Sequence, residues 1–191
     1  DGSRNISDGR HALGGERIVT AAVLIIGDEI LSGRTKDRKG GAIAEHLTTI
    51  GIRLKDVRVV PDDEAEICAA VNALRSRYDY LFTTGGIGPT HDDITADSIA
   101  KACGVAIDVD PRAEKLLAEN YARRGLALTP ARLRMARIPA GASLIVNPLS
   151  GAPGFRIGNV IVMAGVPEIM QAMLEAVTPE LEAGDKVLSI T

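Results

Sequence analysis

Residues 80–95 of the chain read YLFTTGGIGPTHDDIT. The stretch Tyr80–Thr84 is rich in aromatic and β-branched residues and predicts a short strand, which ends where the glycines begin. A helix is predicted next, from about Ala96 to Cys103, with Gly104 as its C-terminal stop. A strand, a glycine loop and a helix in this order form the unit from which parallel sheets are built.

Two earlier segments repeat this unit. Ile18–Ile26 is almost continuously apolar, which predicts a strand buried on both faces, and an amphipathic helix follows it. Ile52–Val60 predicts a second strand that ends at Pro61, before a helix opened by Asp62 or Asp63. Three strand-to-helix units in succession predict a mostly parallel sheet with right-handed crossovers.

The remainder of the chain is less regular. Val105–Val109 is a candidate fourth strand, and Leu126–Pro139 is expected to be an irregular excursion with one short helix. Two apolar stretches, Phe155–Ile157 and Val160–Met163, flank Gly158-Asn159, a two-residue turn signal. They predict an antiparallel hairpin that closes the edge of the sheet, and the fold class is therefore α/β.

The length of 191 residues fits one domain. Residues 1–17 are rich in Gly, Ser, Asp and Arg without periodicity, and they are predicted to form a disordered tail. Residues 18–182 form the expected domain, whose last helix starts at Pro167. Residues 183–191 are expected to be a C-terminal extension.

Composition and charge narrow the classes of function. The net charge is −3 and the basic residues form no stripe, which argues against nucleic acid as a partner. Cys68 and Cys103 lie far apart without further ligands at metal spacing, so neither a zinc site nor a disulfide scaffold is indicated. No apolar run is long enough to span a membrane, and residues 1–17 hold no signal region. A cytoplasmic protein without a membrane partner is therefore expected.

The sheet itself indicates where a ligand would bind. Doubly wound sheets bind ligands outside the carboxyl ends of their strands, near the point where strand order reverses. The loops at these ends are Gly27–Gly33, Pro61–Asp63, Gly85–Asp93 and Ala164–Pro167. We expect the site of a small ligand among them.

The glycine loop offers backbone N–H groups to such a ligand. Gly85, Gly86 and Gly88 have no Cβ to obstruct a close approach, and the next helix points its positive N-terminus at the same place. A phosphate group is the natural occupant, although a purely structural turn is the alternative. The loop lacks the Gly-Lys-Ser/Thr of P-loops and the spacing of the dinucleotide fingerprint. This excludes an ATP-hydrolysing P-loop and a dinucleotide-binding site.

Two acids follow the glycines closely. Asp92 and Asp93 could cap the next helix, although Thr95 alone could do that. Carboxylates beside a phosphate would repel it unless a divalent cation lay between them, so we predict that Asp92 and Asp93 bind Mg²⁺. Asp93 is also the first candidate for a catalytic residue. Asp62, at the end of the neighbouring strand, is the second, with helix capping as its alternative role.

Three further residues are candidates for contacts with the ligand. Thr90 lies within the glycine loop. His91 is either a donor to a phosphate or leaving group, or an exposed loop residue. Asp28, at the end of the first strand, either contacts the ligand or is a solvated acid.

Together these segments resemble the molybdopterin-binding domain shared by the MoaB- and Mog-like proteins of molybdenum-cofactor biosynthesis and the amino-terminal half of competence/damage-inducible CinA. The resemblance covers roughly Val19–Leu181, and the order of the motifs matches. The motifs are GDEILSG (27–33), VPDD (60–63), TGGIGPTHDDIT (84–95), NP (147–148), APG (152–154) and GVP (165–167).

The resemblance implies a three-layer α/β/α sandwich that assembles as a homo-oligomer, either a dimer or a trimer. It also implies that the three loop glycines bind the phosphate of a phosphorylated pterin or nucleotide, and that Asp62 and Asp93 are catalytic. Ile87 and the stretch His91–Asp93 are similar to the CinA branch, to which hydrolysis of nucleotide pyrophosphates such as ADP-ribose has been assigned.

Three functions remain open at this point. The first is metal-dependent hydrolysis of a nucleotide pyrophosphate, the second is adenylyl transfer to molybdopterin, and the third is a pterin- or nucleotide-binding module without turnover. The chain ends at Thr191, so the separate amidase domain of some CinA proteins is not expected.

One basic stretch departs from the family pattern. Lys39 stands where the CinA pattern usually has Asn, which implies an altered contact in that region. With Arg34, Lys36 and Arg38 it could attract a phosphorylated ligand, unless this charged helix face is simply solvated.

Overall fold

The computed structural model describes residues 17–182, so the predicted extension and all but Arg17 of the predicted tail lie outside it. The strands are β1 (Val19–Ile26), β2 (Ile52–Val60), β3 (Tyr80–Thr84), β4 (Ile107–Val109), β5 (Arg137–Pro139), β6 (Ser143–Ile145), β7 (Gly154–Ile157) and β8 (Val160–Met163). The helices are α1 (Asp28–Leu31), α2 (Lys39–Thr49), α3 (Glu64–Arg77), α4 (Thr95–Cys103), α5 (Pro111–Arg123), α6 (Pro130–Leu133) and α7 (Pro167–Val177). Within the described range, no helix has the length and apolar character needed to cross a membrane.

Six strands form one mixed sheet in the order β2-β1-β3-β8-β7-β6. β1 pairs in parallel with β2 and β3, and β3 pairs in parallel with β8. β7 pairs antiparallel with both β8 and β6. The chain moves from β1 to β2 on one side and then to β3 on the other, so strand order reverses between β1 and β3. This reversal is the point at which such sheets bind ligands.

Alternate side chains of β1 pack into opposite layers, as the pleat of a strand requires. Leu24 and Ile26 are buried together with apolar residues of α3, α4 and α5. Val23 and Ile25 are buried on the other face with apolar residues of α2 and α7. Helices therefore cover both faces of the sheet, and the three-layer α/β/α sandwich is confirmed.

The chain after Gly104 differs from the expectation in three ways. β4 is shorter than Val105–Val109 and lies outside the main sheet, where it pairs antiparallel with β5. β5 falls within Leu126–Pro139, the stretch expected to be irregular, which contains the short helix α6 as well. The hairpin of β7 and β8 lies inside the sheet rather than at its edge, because β6 pairs with β7. Strands of three residues are too short to display a period-two pattern.

Candidate functional site

Loops at the carboxyl ends of β1, β2, β3 and β8 line one cleft of about 1250 Å³. They are the loops selected from the sequence, because parallel strands bring their carboxyl ends to the same edge of a sheet. Tyr121 and Met135 contribute to the lining from outside these loops, and no sequence motif points to them. The predicted site residues that line the cleft are Asp28, Asp62, Gly85, Gly86, Gly88, Thr90, Asp92 and Asp93.

The first two glycines of the loop are required by the backbone itself. Gly85 and Gly86 have φ angles of 98° and 73°, in the left-handed region that side chains disfavour. A Cβ on Gly85 would collide with the carbonyl oxygen of Ile26, and one on Gly86 with the hydroxyl of Thr95. The loop therefore lies directly against the last residue of β1 and the first residue of α4. This close packing gives the glycines a structural role in addition to the proposed ligand contact.

Thr95 holds the glycine loop in place. Its hydroxyl donates to the Gly85 carbonyl over 2.9 Å, and its N–H donates to the Gly86 carbonyl over 3.0 Å. Thr95 is fully buried, and α4 begins after Ile94 without a side-chain cap. The prediction that Thr95 could cap this helix is wrong, because both of its polar groups bond to the loop.

Asp93 closes a turn within the loop and does not cap α4. Its Oδ2 accepts hydrogen bonds from the N–H and the hydroxyl of Thr90, each over 2.8 Å. A Cβ on Gly88 would stand only 2.8 Å from the same oxygen, so the carboxylate lies directly against the last glycine of the loop. The Thr90 hydroxyl, predicted to contact a ligand, donates to Asp93. Asp93 thus reaches the glycine loop, as its position in the sequence suggests.

Asp28 and Asp62 join the loops after β1 and β2. The Asp62 N–H donates to Asp28 Oδ1 over 3.0 Å, and the Asp28 N–H donates to Asp62 Oδ2 over 3.2 Å. The cap of α3 is Asp63, which accepts from the Glu66 N–H over 3.0 Å. The alternative role of Asp62 as the cap is therefore wrong, and its carboxylate lines the cleft.

The surroundings of Asp62 raise the pKa of its carboxyl above the usual value. Partial burial is the largest cause, and the negative charges of Asp28, Glu29 and Asp93 act in the same direction. The hydrogen bond from the Asp28 N–H opposes them without cancelling them. Carboxylates from three loops are thus close enough to influence one another.

His91 and Asp92 lie at the outer tip of the loop. His91 Nε2 is 3.3 Å from Asp92 Oδ1, and the two side chains are 91% and 76% exposed. Asp92 reaches the rim of the cleft, whereas His91 is not among the residues that line it. Of the two roles considered for His91, its position corresponds to the exposed loop residue.

Within the described residues, the acids of the cleft do not form a metal site by themselves. Across residues 17–182, no group of three or more His, Cys, Asp or Glu side chains is arranged to hold a metal ion. Mg²⁺ is usually held by one or two carboxylates together with phosphate oxygens and water. Asp93 fits that description, because both hydrogen bonds from Thr90 go to its Oδ2 and neither goes to its Oδ1. The residues therefore suit a cation that arrives with a phosphorylated ligand.

Basic residues line a further part of the cleft: Arg34, Lys36, Arg38 and Lys39. Arg34, Lys36 and Arg38 are exposed, as expected for a solvated face. Lys39 differs from them, because only 8% of it is exposed. The burial of Lys39 depends on the packing of α2 and has no signal in the sequence.

Asn147 organises the loop between β6 and β7. It is buried, its Oδ1 accepts from the Leu149 N–H over 2.9 Å, and its Nδ2 donates to Ser150 Oγ over 2.6 Å. Nδ2 also lies 3.3 Å from the Ala152 carbonyl oxygen, to which it donates. Ser150 and Ala152 line the cleft, so the Asn147-Pro148 motif shapes the site without contacting its centre.

Comparison with known proteins agrees with this architecture. A family model described as "Probable molybdopterin binding domain" matches residues 22–183. A CinA-like protein from Citrifermentans bemidjiense is 44% identical over 166 residues, which are 84% of this chain and 40% of that protein. A protein from Pyrobaculum aerophilum is 40% identical over 159 residues, 81% of this chain and 60% of that protein. The chain thus spans only part of the length of these curated relatives.

Solved structures share the fold. CinA from Thermoplasma acidophilum, described as of unknown function, is 38% identical with a TM-score of 0.77, and the match covers 85% of this chain and 98% of that one. The tungsten cofactor synthesizing protein MoaB from Pyrococcus furiosus is 23% identical with a TM-score of 0.56, covering 87% and 94% of the two chains. The second likeness concerns the fold alone.

Proposed function

Because the chain belongs to the probable molybdopterin binding domain family, we propose that its cleft binds a phosphorylated nucleotide or pterin and hydrolyses a nucleotide pyrophosphate. ADP-ribose is the substrate we would test first. The observation that carries the proposal is that the glycine loop and the carboxylates of Asp28, Asp62 and Asp93 flank one cleft. Backbone donors for a phosphate and acids for proton transfer are the groups that this hydrolysis needs.

In the proposed reaction, the loop N–H groups bind oxygens of the reacting phosphate and stabilise the charge that develops there. Asp62 takes a proton from the attacking water, and the raised pKa makes its carboxylate a stronger base than that of an ordinary aspartate. The water oxygen bonds to one phosphorus while the bond from that phosphorus to the bridging oxygen breaks. ADP-ribose would yield AMP and ribose 5-phosphate.

Asp93 is the carboxylate that we assign to a divalent cation, with Asp92 at the rim as a further candidate. A bound Mg²⁺ would neutralise phosphate charge, which otherwise conflicts with the acids of the cleft. The proposal for Asp93 rests on its position against Gly88 and on the Thr90 hydrogen bonds that fix its orientation.

The first prediction concerns Asp93. Asp93→Asn keeps an oxygen that can accept from Thr90 and loses the charge, so we expect an unchanged melting temperature and AMP release lowered by about 100-fold or more. The measurement is AMP release from ADP-ribose, FAD and ATP as a function of Mg²⁺ concentration. Asp108→Asn is the matched control, since it removes the same charge from an exposed residue that does not line the cleft.

The same assay separates the competing functions. Equal AMP release by the wild type and Asp93→Asn would contradict the catalytic assignment. If the protein left ADP-ribose intact and transferred AMP from ATP to molybdopterin, adenylyl transfer would be favoured. Tight ligand binding without any product would favour a binding module.

A further inference from the structure

Lys39 is a largely buried residue at the cleft, and the rest of the described chain leaves its ammonium group unpaired. Only 8% of the residue is exposed, and it lines the cleft. Across residues 17–182 its Nζ forms no ion pair or hydrogen bond. Nζ is not one of the fully buried polar atoms that lack a partner, so the stem of Lys39 is covered while its ammonium group keeps contact with the cleft. Lysine residues are rarely this buried without a charged partner.

The nearest acid in sequence does not neutralise Lys39. Asp37 Oδ1 accepts a hydrogen bond from the Lys39 backbone N–H over 2.9 Å, and its other oxygen lies toward Gly40. Asp37 therefore accepts a hydrogen bond from a backbone N–H in the first turn of α2. The cap residue of this helix, Arg38, makes no side-chain cap bond. The ammonium group remains available to the cleft.

The position of Nζ connects it to the glycine loop. A Cβ built on Gly165 would stand 3.1 Å from Gly85 Cα and 3.4 Å from Lys39 Nζ. The ammonium group and the first glycine of the loop therefore border the same small space. Asp93 lies against Gly88, at the other end of the loop. One end of the loop thus has a cation and the other a carboxylate.

Because the two ends of the loop carry opposite charges, they favour different parts of a ligand. A phosphate at the Gly85 end would be attracted by Lys39, whereas the Gly85 N–H is already used, since it donates to the Met163 carbonyl over 3.1 Å. A second phosphate linked to it would extend toward Asp93, where a divalent cation would offset the repulsion between the phosphate and the carboxylate. Arg34, Lys36 and Arg38 are exposed, so water and salt screen their attraction for a phosphate more strongly than that of Lys39.

We propose that Lys39 binds the non-reacting phosphate of a ligand with two linked phosphates and that it selects such ligands over uncharged nucleosides. The identity of the ligand rests on the proposed function. The binding role of Lys39 rests only on its burial, its lack of a partner and its position beside Gly85. Asn in its place would supply no positive charge.

The test is calorimetric binding of α,β-methylene-ADP, whose carbon bridge resists hydrolysis, in the presence of Mg²⁺. Lys39→Met keeps the length of the side chain and removes its charge, so we expect affinity to fall by about 10- to 100-fold. Lys39→Arg keeps the charge and should retain more affinity than Lys39→Met. Lys55→Met is the matched control, because Lys55 is exposed and outside the cleft. It should bind as tightly as the wild type.

A second readout excludes a merely structural role. Nζ makes no hydrogen bond or ion pair within residues 17–182, so Lys39→Met should leave the melting temperature equal to or above that of the wild type. Equal affinity of Lys39→Met and wild type, an equal loss for adenosine, or a lowered melting temperature would overturn the proposal. Binding that depends on Lys39 without AMP release from ADP-ribose would refute the hydrolysis and support the binding role. A wild type that does not bind the probe would overturn the role of Lys39, whereas the hydrolysis is tested separately by AMP release from ADP-ribose.

Discussion

The carboxyl of Asp62 is in an unfavourable environment for its charged form. Partial burial and the charges of Asp28, Glu29 and Asp93 raise its pKa, although the Asp28 N–H donates to it. Proteins keep such groups mostly where they are used, because a raised pKa allows a carboxylate to accept a proton near neutral pH. The energetic cost and the proposed catalytic role therefore have the same cause.

A pH prediction follows for this residue. The folded protein holds the Asp62 proton more tightly than the unfolded chain, so stability is lost as pH rises from 3.8 through the folded pKa. Asp62→Asn has no proton to lose and keeps an oxygen for the Asp28 N–H. We expect its melting temperature to match the wild type near pH 3 and to exceed it at pH 7. A difference that does not grow with pH would contradict the assignment.

The glycine loop depends on the first residue of α4. Thr95 bonds to two successive carbonyls of the loop, those of Gly85 and Gly86, while its side chain is fully buried. The start of α4 is thereby joined to the end of β3, with the loop fixed between them. A ligand would meet a preorganised loop, which lowers the entropic cost of binding.

Substitution of Thr95 tests this arrangement at the level of the element. Thr95→Val keeps the shape and leaves the Gly85 carbonyl without its donor, so we expect a loss of about 1–3 kcal/mol in the free energy of unfolding. Thr95→Ser keeps the hydroxyl and should retain that hydrogen bond. Urea denaturation measures both variants. Equal free energies of unfolding for Thr95→Val and Thr95→Ser would show that the hydroxyl does not hold the loop.

At the scale of the whole molecule, the described part of the main sheet ends in two edge strands. β2 forms one edge and β6 the other, and unpaired edge strands can pair with another chain. Val57, an apolar residue of the edge strand β2, is 47% exposed. These features are compatible with the homo-oligomer implied by the family.

We expect the protein to be a dimer or trimer in solution. Light scattering coupled to size exclusion, at micromolar concentration, should give two or three times the chain mass of 20.1 kDa. A mass of one chain across that range would contradict the prediction.

The sequence by itself determined the first three strands, the loops at their carboxyl ends and the family. β1, β2 and β3 lie within one residue of their predicted bounds, because long apolar runs and the glycine and proline residues that end them are local signals. The candidate acids Asp62 and Asp93 were found for the same reason, since the ends of parallel strands converge wherever the strands are known.

Only the tertiary structure decided how these parts are used. The pairing of β4 with β5, the edge position of β6, the burial of Lys39 and the bonds of Thr95 to Gly85 and Gly86 all depend on contacts between residues that are not neighbours in a regular pattern. A short strand has too little periodicity to be recognised. The partner of a Thr, Lys or Asp side chain is selected by the packing of whole elements, and the local sequence does not encode it.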